Sequence, residues 1–193
     1  DKDWDKALRL QGWADNPINT NGRAQAKALV PLLADKGLEL IVASSLLRAR
    51  QTAEIVATAL HIPVITDSRL VEVGLGTADG MSFAAFREKH GEDYLQRFLR
   101  SVADEDMDIS AGKGAETKRE AQARIMNALS DIAVNKSAHT VGVACHGLLM
   151  TLIAGYLNNS VVKFGNGDLL HIAFDTASAN SATPWRYIYI YRQ

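Results

Sequence analysis

The chain has 193 residues, 47% of them hydrophobic and 22% charged, which is enough to bury one sizeable core and suits a single domain over 1–193. Its 21 Lys and Arg against 22 Asp and Glu leave a formal charge of -1, and no basic run exceeds two residues, which argues against nucleic acid as a partner. Cys145, the single cysteine, excludes an internal disulfide and a thiolate cluster, and no apolar stretch approaches the roughly 20 residues that span a bilayer.

A soluble protein without a membrane partner is expected, in a cytoplasmic, reducing compartment that suits the cysteine usage. The sequence opens at Asp1 rather than Met, so a segment upstream, including a signal peptide, stays open.

Residues 19–36 place Ala24, Ala26, Leu29, Leu32 and Leu33 mostly at helical spacing, with Pro31 as a disturbance and Gly37 as a stop. Residues 38–43 (LELIVA) read as a strand, and after Ser44 and Ser45 the stretch LLRARQTAEIVATAL reads as a helix. A short strand follows at 61–65, then an irregular stretch at 67–80 with glycines at 74, 76 and 80, the kind of connection that often carries functional groups.

The pattern predicts one helix over 81–100, a solvated acidic loop over 101–114 (DEDMD) and an amphipathic helix over 116–134. Residues 139–145 form a nearly continuous apolar strand running through His146 and Gly147 into the apolar helix LLMTLIAGYL, which implies burial on both faces. Two further strands are expected at 169–174 and 187–191. The alternation predicts an α/β fold, a three-layer α/β/α sandwich around a mainly parallel central sheet. Ligands of such sheets bind beyond the carboxyl ends of the strands, where Arg48, Glu72 and His146 fall.

Arg48 and Arg50 lie in the first turn of a helix, where the dipole disfavours a cation by about 0.3–1 kcal/mol. Arg50 has Glu54 four residues on; Arg48 has Thr52 there and no local carboxylate. Taken locally, Arg48 is either a surface arginine or a phosphate ligand using paired charge-assisted bonds. His146 is either a satisfied core histidine or a donor to a phosphoryl group at a helix start. Glu72 is either a solvated loop residue or a carboxyl whose pKa burial raises toward that of a general acid. Thr117 and Glu120 form a capping box that needs no function. His61, His90, His139 and His171 lack metal-site spacing, so no metal or cofactor is expected.

Together, RLQGWADNPINTNGRAQA at 9–26, ASSLLRARQTAEI at 43–55, DSRLVEV at 67–73, GAET at 114–117 and CHG at 145–147 resemble the histidine phosphatase superfamily, in its phosphoglycerate mutase-like branch. The resemblance covers almost the whole chain. It implies covalent catalysis, in which a histidine of an Arg-His-Gly motif ending the first strand takes the phosphoryl group and water or an acceptor hydroxyl discharges it. It further implies Arg48 and His146 as phosphate-gripping residues and Glu72 as proton donor, with Gln11, Gly12, Arg50 and Gly147 lining the same pocket. Residues 81–115 are then a substrate-selecting lid, and the substrate a small phosphorylated metabolite. A homodimer is compatible with this reading.

Two departures stand out. The Arg-His-Gly segment and its strand are expected upstream of Asp1. Asp5 also aligns where relatives often carry a phosphate-binding asparagine, and a carboxylate there would repel phosphate. A phosphatase is the leading expectation, ahead of a phosphoglycerate mutase and of a non-catalytic relative that binds a phospho-ligand or a protein.

Overall fold

A computed structural model describes residues 9–100, 102–135, 137–159, 161–175 and 184–191. Asp5 and any upstream motif lie outside them. Helix α1 (Thr20–Leu33) starts where the Asn19 side chain accepts the Gly22 N–H at 2.9 Å. It carries Pro31 in its last turn, tightens into a 3₁₀ turn at Ala34–Lys36 and stops at Gly37, whose φ of 65° is left-handed.

Strand β1 (Leu40–Ser44) leads into α2 (Leu47–Leu60), and β2 (Val64–Asp67) into an irregular stretch held by two short 3₁₀ turns, Ser68–Leu70 and Gly76–Ala78. The single helix expected over 81–100 is two, α3 (Phe83–His90) and α4 (Glu92–Arg100). Gly91 separates them with φ 87° and ψ 158°, a conformation no helix contains. Helix α5 (Lys118–Asn135), strand β3 (Val141–Ala144) and helix α6 (Gly147–Asn158) follow, then strands β4 (Leu169–Phe174) and β5 (Trp185–Tyr191).

Among the described residues, β2, β1 and β3 form a parallel sheet with β1 in the middle, pairing Ile41 with Val64 on one side and with Gly142 on the other. β4 and β5 form a separate antiparallel ladder with a register shift between His171 and Ile172. The sheet is sandwiched because side chains alternate along β1. Ile41 and Ala43 pack with Leu29 of α1 and with Ala53, Val56 and Ala57 of α2. Val42 packs on the opposite face with Phe86 of α3, Phe98 of α4, Ile125 of α5 and Leu149 of α6. Each large apolar side chain buried this way contributes about 1.5–3 kcal/mol. The α/β sandwich expected from the element order is therefore present.

Asp104, Glu105 and Asp108 of the acidic loop are exposed as expected, and Asp106 is the exception. Asp106 is buried and pairs with Arg97 Nη2 at 2.6 Å, and Met107 and Ala111 enter the core beside it. Asp104 and Asp108 pair with Arg119, so the acidic residues bind the loop to α5 and α4. Burying the loop's apolar residues requires satisfying its carboxylates, and the nearby arginines do so.

Candidate active site

The carboxyl ends of β1 and β3 bring Arg48 and His146 to one wall, and the irregular stretch after β2 brings Glu72. β1 ends at Ser44, fully buried, and the chain turns into α2, whose Leu47 N–H donates at 2.6 Å to Asp15 Oδ1 from the loop preceding α1. That carboxylate offsets the helix-dipole cost of the neighbouring cation. Arg48 then donates from Nη2 to Gly12 O at 2.7 Å and from Nη1 to Ala14 O at 2.9 Å. The same loop is held from the other side by Asp79, which accepts the Gly12 and Ala14 N–H groups at 2.8 Å each. Burial lowers the pKa of Arg48, opposed by Glu72, Asp79 and Asp15, and hydrogen bonds to described residues use two of its five donors. A side chain at Gly12 would meet Leu75 Cγ at 2.7 Å, so the loop approaches this closely because that residue is glycine.

His146 follows β3 and precedes α6. Its Nε2 lies 2.8 Å from Ser44 Oγ, which itself accepts the Leu46 N–H at 3.3 Å. With Ser44 donating its hydroxyl proton to Nε2, the imidazole carries its own proton on Nδ1, available to an anion. Burial first, then Arg48 and Arg124, push its pKa down to about 3, so the ring is neutral near neutral pH.

Glu72 sits under the start of α6. Its Oε1 accepts from Val73 N at 2.9 Å and Leu149 N at 3.3 Å, and its Oε2 from Leu148 N at 3.2 Å. Burial raises its pKa, against these N–H groups and Arg48, which favour the ionised form. A carboxyl poised this way can hold a proton and release it to a neighbouring oxygen.

Arg48, Glu72, His146, Gln11 and Gly147 all line one cavity of about 1440 Å³. Gly12 stands behind that wall, binding Arg48 through its carbonyl, and Arg50 is not on it: Arg50 pairs with Glu54 at 3.6 Å, as the i, i+4 spacing predicts. The Thr117 and Glu120 capping box is present, with Thr117 N donating to Glu120 at 2.8 Å.

Sequence reasoning passes over several residues that build the wall. Asn16 lines the cavity with a buried Nδ2 that has no partner among the described residues, a donor of the kind an anion would satisfy. Ser44 orients His146, Asp79 holds the Gly12 loop, and Glu116 with Arg124 grips the segment around Glu72. Glu116 lies in the GAET motif, but nothing local shows its partner. Cys145 is half-buried, and desolvation of its thiol pushes the pKa up to about 12, which leaves it unreactive. Among the described residues no group of three His, Cys, Asp or Glu is placed to hold a metal, and no helix is long and apolar enough to cross a membrane.

Comparison with known proteins places the chain in a family. The chain is 28% identical to the uncharacterized phosphatase PhoE of Bacillus subtilis over 177 residues, covering 89% of this chain and 83% of that one. It is 36% identical over 77 residues to the probable phosphoglycerate mutase GpmB of Serratia proteamaculans, a match that spans 40% of this chain and only 36% of the relative's length. The mycobacterial glucosyl-3-phosphoglycerate phosphatase structure superposes with a TM-score of 0.79 at 22% identity, over 93% of this chain and 90% of that one, which shows a shared fold. Residues 1–185 match branch 1 of the histidine phosphatase superfamily, and the chain belongs to that superfamily.

Proposed function

We propose that this protein is a phosphomonoesterase that hydrolyses a small phosphorylated metabolite through a phosphohistidine. The observation that carries the reading is the convergence of Arg48, His146 and Glu72 on one cavity wall: a cation, a neutral imidazole donor and a carboxyl of raised pKa. The phosphatase names of relatives that span most of the chain support it.

In this reading Arg48 and His146 hold the non-bridging phosphoryl oxygens and stabilise the charge they gain in the transition state. An imidazole nitrogen attacks phosphorus as the bond to the leaving oxygen breaks, and Glu72 gives its proton to that oxygen. Water then attacks the phosphoenzyme, the P–N bond breaks, and the Glu72 carboxylate takes the water's proton, which restores the starting state. The attacking imidazole belongs to the Arg-His-Gly strand that the resemblance implies. Residues 81–115 choose the leaving group.

Arg48→Ala and His146→Ala in the intact protein are expected to lower turnover of a phosphomonoester by about 10²–10³-fold each, the usual cost of one oxyanion donor, with the fold retained. Unchanged rates in both variants contradict the assignment. Transfer of the phosphoryl group to a sugar-acid hydroxyl in preference to water identifies a mutase instead.

A further inference from the structure

Arg124, on α5, has each of its five N–H donors on an acceptor, and the acceptors surround Glu72. Nη1 donates to Arg69 O at 2.6 Å and Val71 O at 2.9 Å; Nη2 donates to Glu72 O at 3.3 Å and Glu116 Oε2 at 2.7 Å; Nε donates to Glu116 Oε1 at 2.8 Å. Glu116 completes the frame beyond Glu72, accepting the Gly74 N–H at 2.8 Å through Oε2 and donating its own N–H to Gly74 O at 2.9 Å. The backbone is thus fixed at residues 69, 71, 72 and 74, in a stretch with no helix or strand between Val71 and Leu75. Both side chains are largely buried, each 19% exposed.

We infer that Arg124 and Glu116 are positioning residues for Glu72, a paired clamp that fixes the backbone from which the carboxyl reaches the start of α6. The inference rests on the proposed role of Glu72 as proton donor. Neither clamp residue lines the cavity, so neither meets a ligand there; the pair holds the Glu72 backbone, and the Arg124 charge also bears on His146. The pairing also has an electrostatic logic. A lone guanidinium this close would favour the ionised form of Glu72 and spoil a proton donor, whereas the Glu116 carboxylate balances that charge. Planar fork geometry is needed to reach three carbonyls and a carboxylate at once, which a lysine ammonium cannot do.

The test compares Arg124→Lys and Glu116→Gln with Glu72→Gln in the intact protein, using glycerol 2-phosphate, a poor leaving group, and 4-nitrophenyl phosphate, a good one. Misplacing an acid by about an ångström is expected to cost roughly 10²-fold in kcat on the glycerol ester, with KM nearly unchanged. Loss on the nitrophenyl ester is expected to stay below about tenfold, because that leaving group needs no proton. Equal losses on both esters, or a change in KM alone, overturn the clamp while Glu72→Gln keeps its leaving-group dependence. Loss of that dependence in Glu72→Gln itself overturns the proton-donor reading, and the clamp with it. Glu116→Gln preserves shape and all but one of the acceptor contacts, so it reads the same quantity where Arg124→Lys unfolds.

Discussion

His146 and Glu72 are buried within one wall, and burial pushes each toward its neutral form, lowering the pKa of the imidazole to about 3 and raising that of the carboxyl. For His146 the folded pKa of about 3 lies below the ordinary 6.5, so between those values the unfolded chain binds a proton that the folded chain does not. Stability is therefore complete above about 6.5 and is lost as pH falls toward 3. The His146 ring is expected to show no chemical-shift titration from about pH 8 down to pH 5, the range in which an ordinary histidine changes charge, when followed by NMR in the ligand-free protein. A midpoint inside that range contradicts the burial described here. The placement of Arg48 and His146 was legible in the sequence because each stands beside an element boundary that periodicity locates, whereas Glu72, in an irregular stretch, was singled out through the resemblance. Ser44, Asp79 and Arg124 were not, because their meaning lies in partners far away in the chain: Arg124 meets Arg69, Asp79 meets Gly12, and Ser44 meets His146.

The connections between elements are where backbone conformation decides stability. Gly76 has φ 51°, and a Cβ there would lie 2.3 Å from Lys113 O and 2.5 Å from Ala115 N, which are backbone atoms with no freedom to move aside. Gly37 has φ 65° with open space around it. Gly37→Ala is expected to cost about 1–2 kcal/mol from left-handed strain alone, and Gly76→Ala at least about 3 kcal/mol from strain plus overlap, as read by urea unfolding. Similar costs at the two positions contradict the close contact between the 76–78 turn and residues 113–115. The regular elements were visible as periodic apolar patterns. The break at Gly91 was not, because both helices flanking it carry compatible patterns and a lone glycine is tolerated in many helices. Asp106 in the acidic run likewise reads as solvated until Arg97 is seen beside it.

Across the whole molecule, the acidic loop, α4 and α5 meet at Lys118, which is fully buried and donates from Nζ to Arg97 O at 2.8 Å. Burial lowers its pKa from 10.5 to about 8, with Asp106 opposing the shift and Arg97 adding to it. The folded state thus binds this proton less tightly than the unfolded chain, so stability rises as pH increases from about 8 to 10.5. In thermal melts, Lys118→Met is expected to flatten that rise relative to the unaltered protein; an identical pH slope in both means the amine is solvated. The layered arrangement follows from alternation along β1, and the site follows from the layers: strands that end together bring Arg48 and His146 to one edge, and the clamp from α5 carries Glu72 to meet them.

The most direct test of the central claim is rapid acid- and alkali-quench labelling of the intact protein with a phosphomonoester carrying radioactive phosphate. A phosphohistidine route predicts a burst of protein-bound phosphate, stable to alkali and labile to acid, that decays to inorganic phosphate at the turnover rate and is strongly reduced in Arg48→Ala. Steady release of inorganic phosphate with no labelled protein at any time would contradict it.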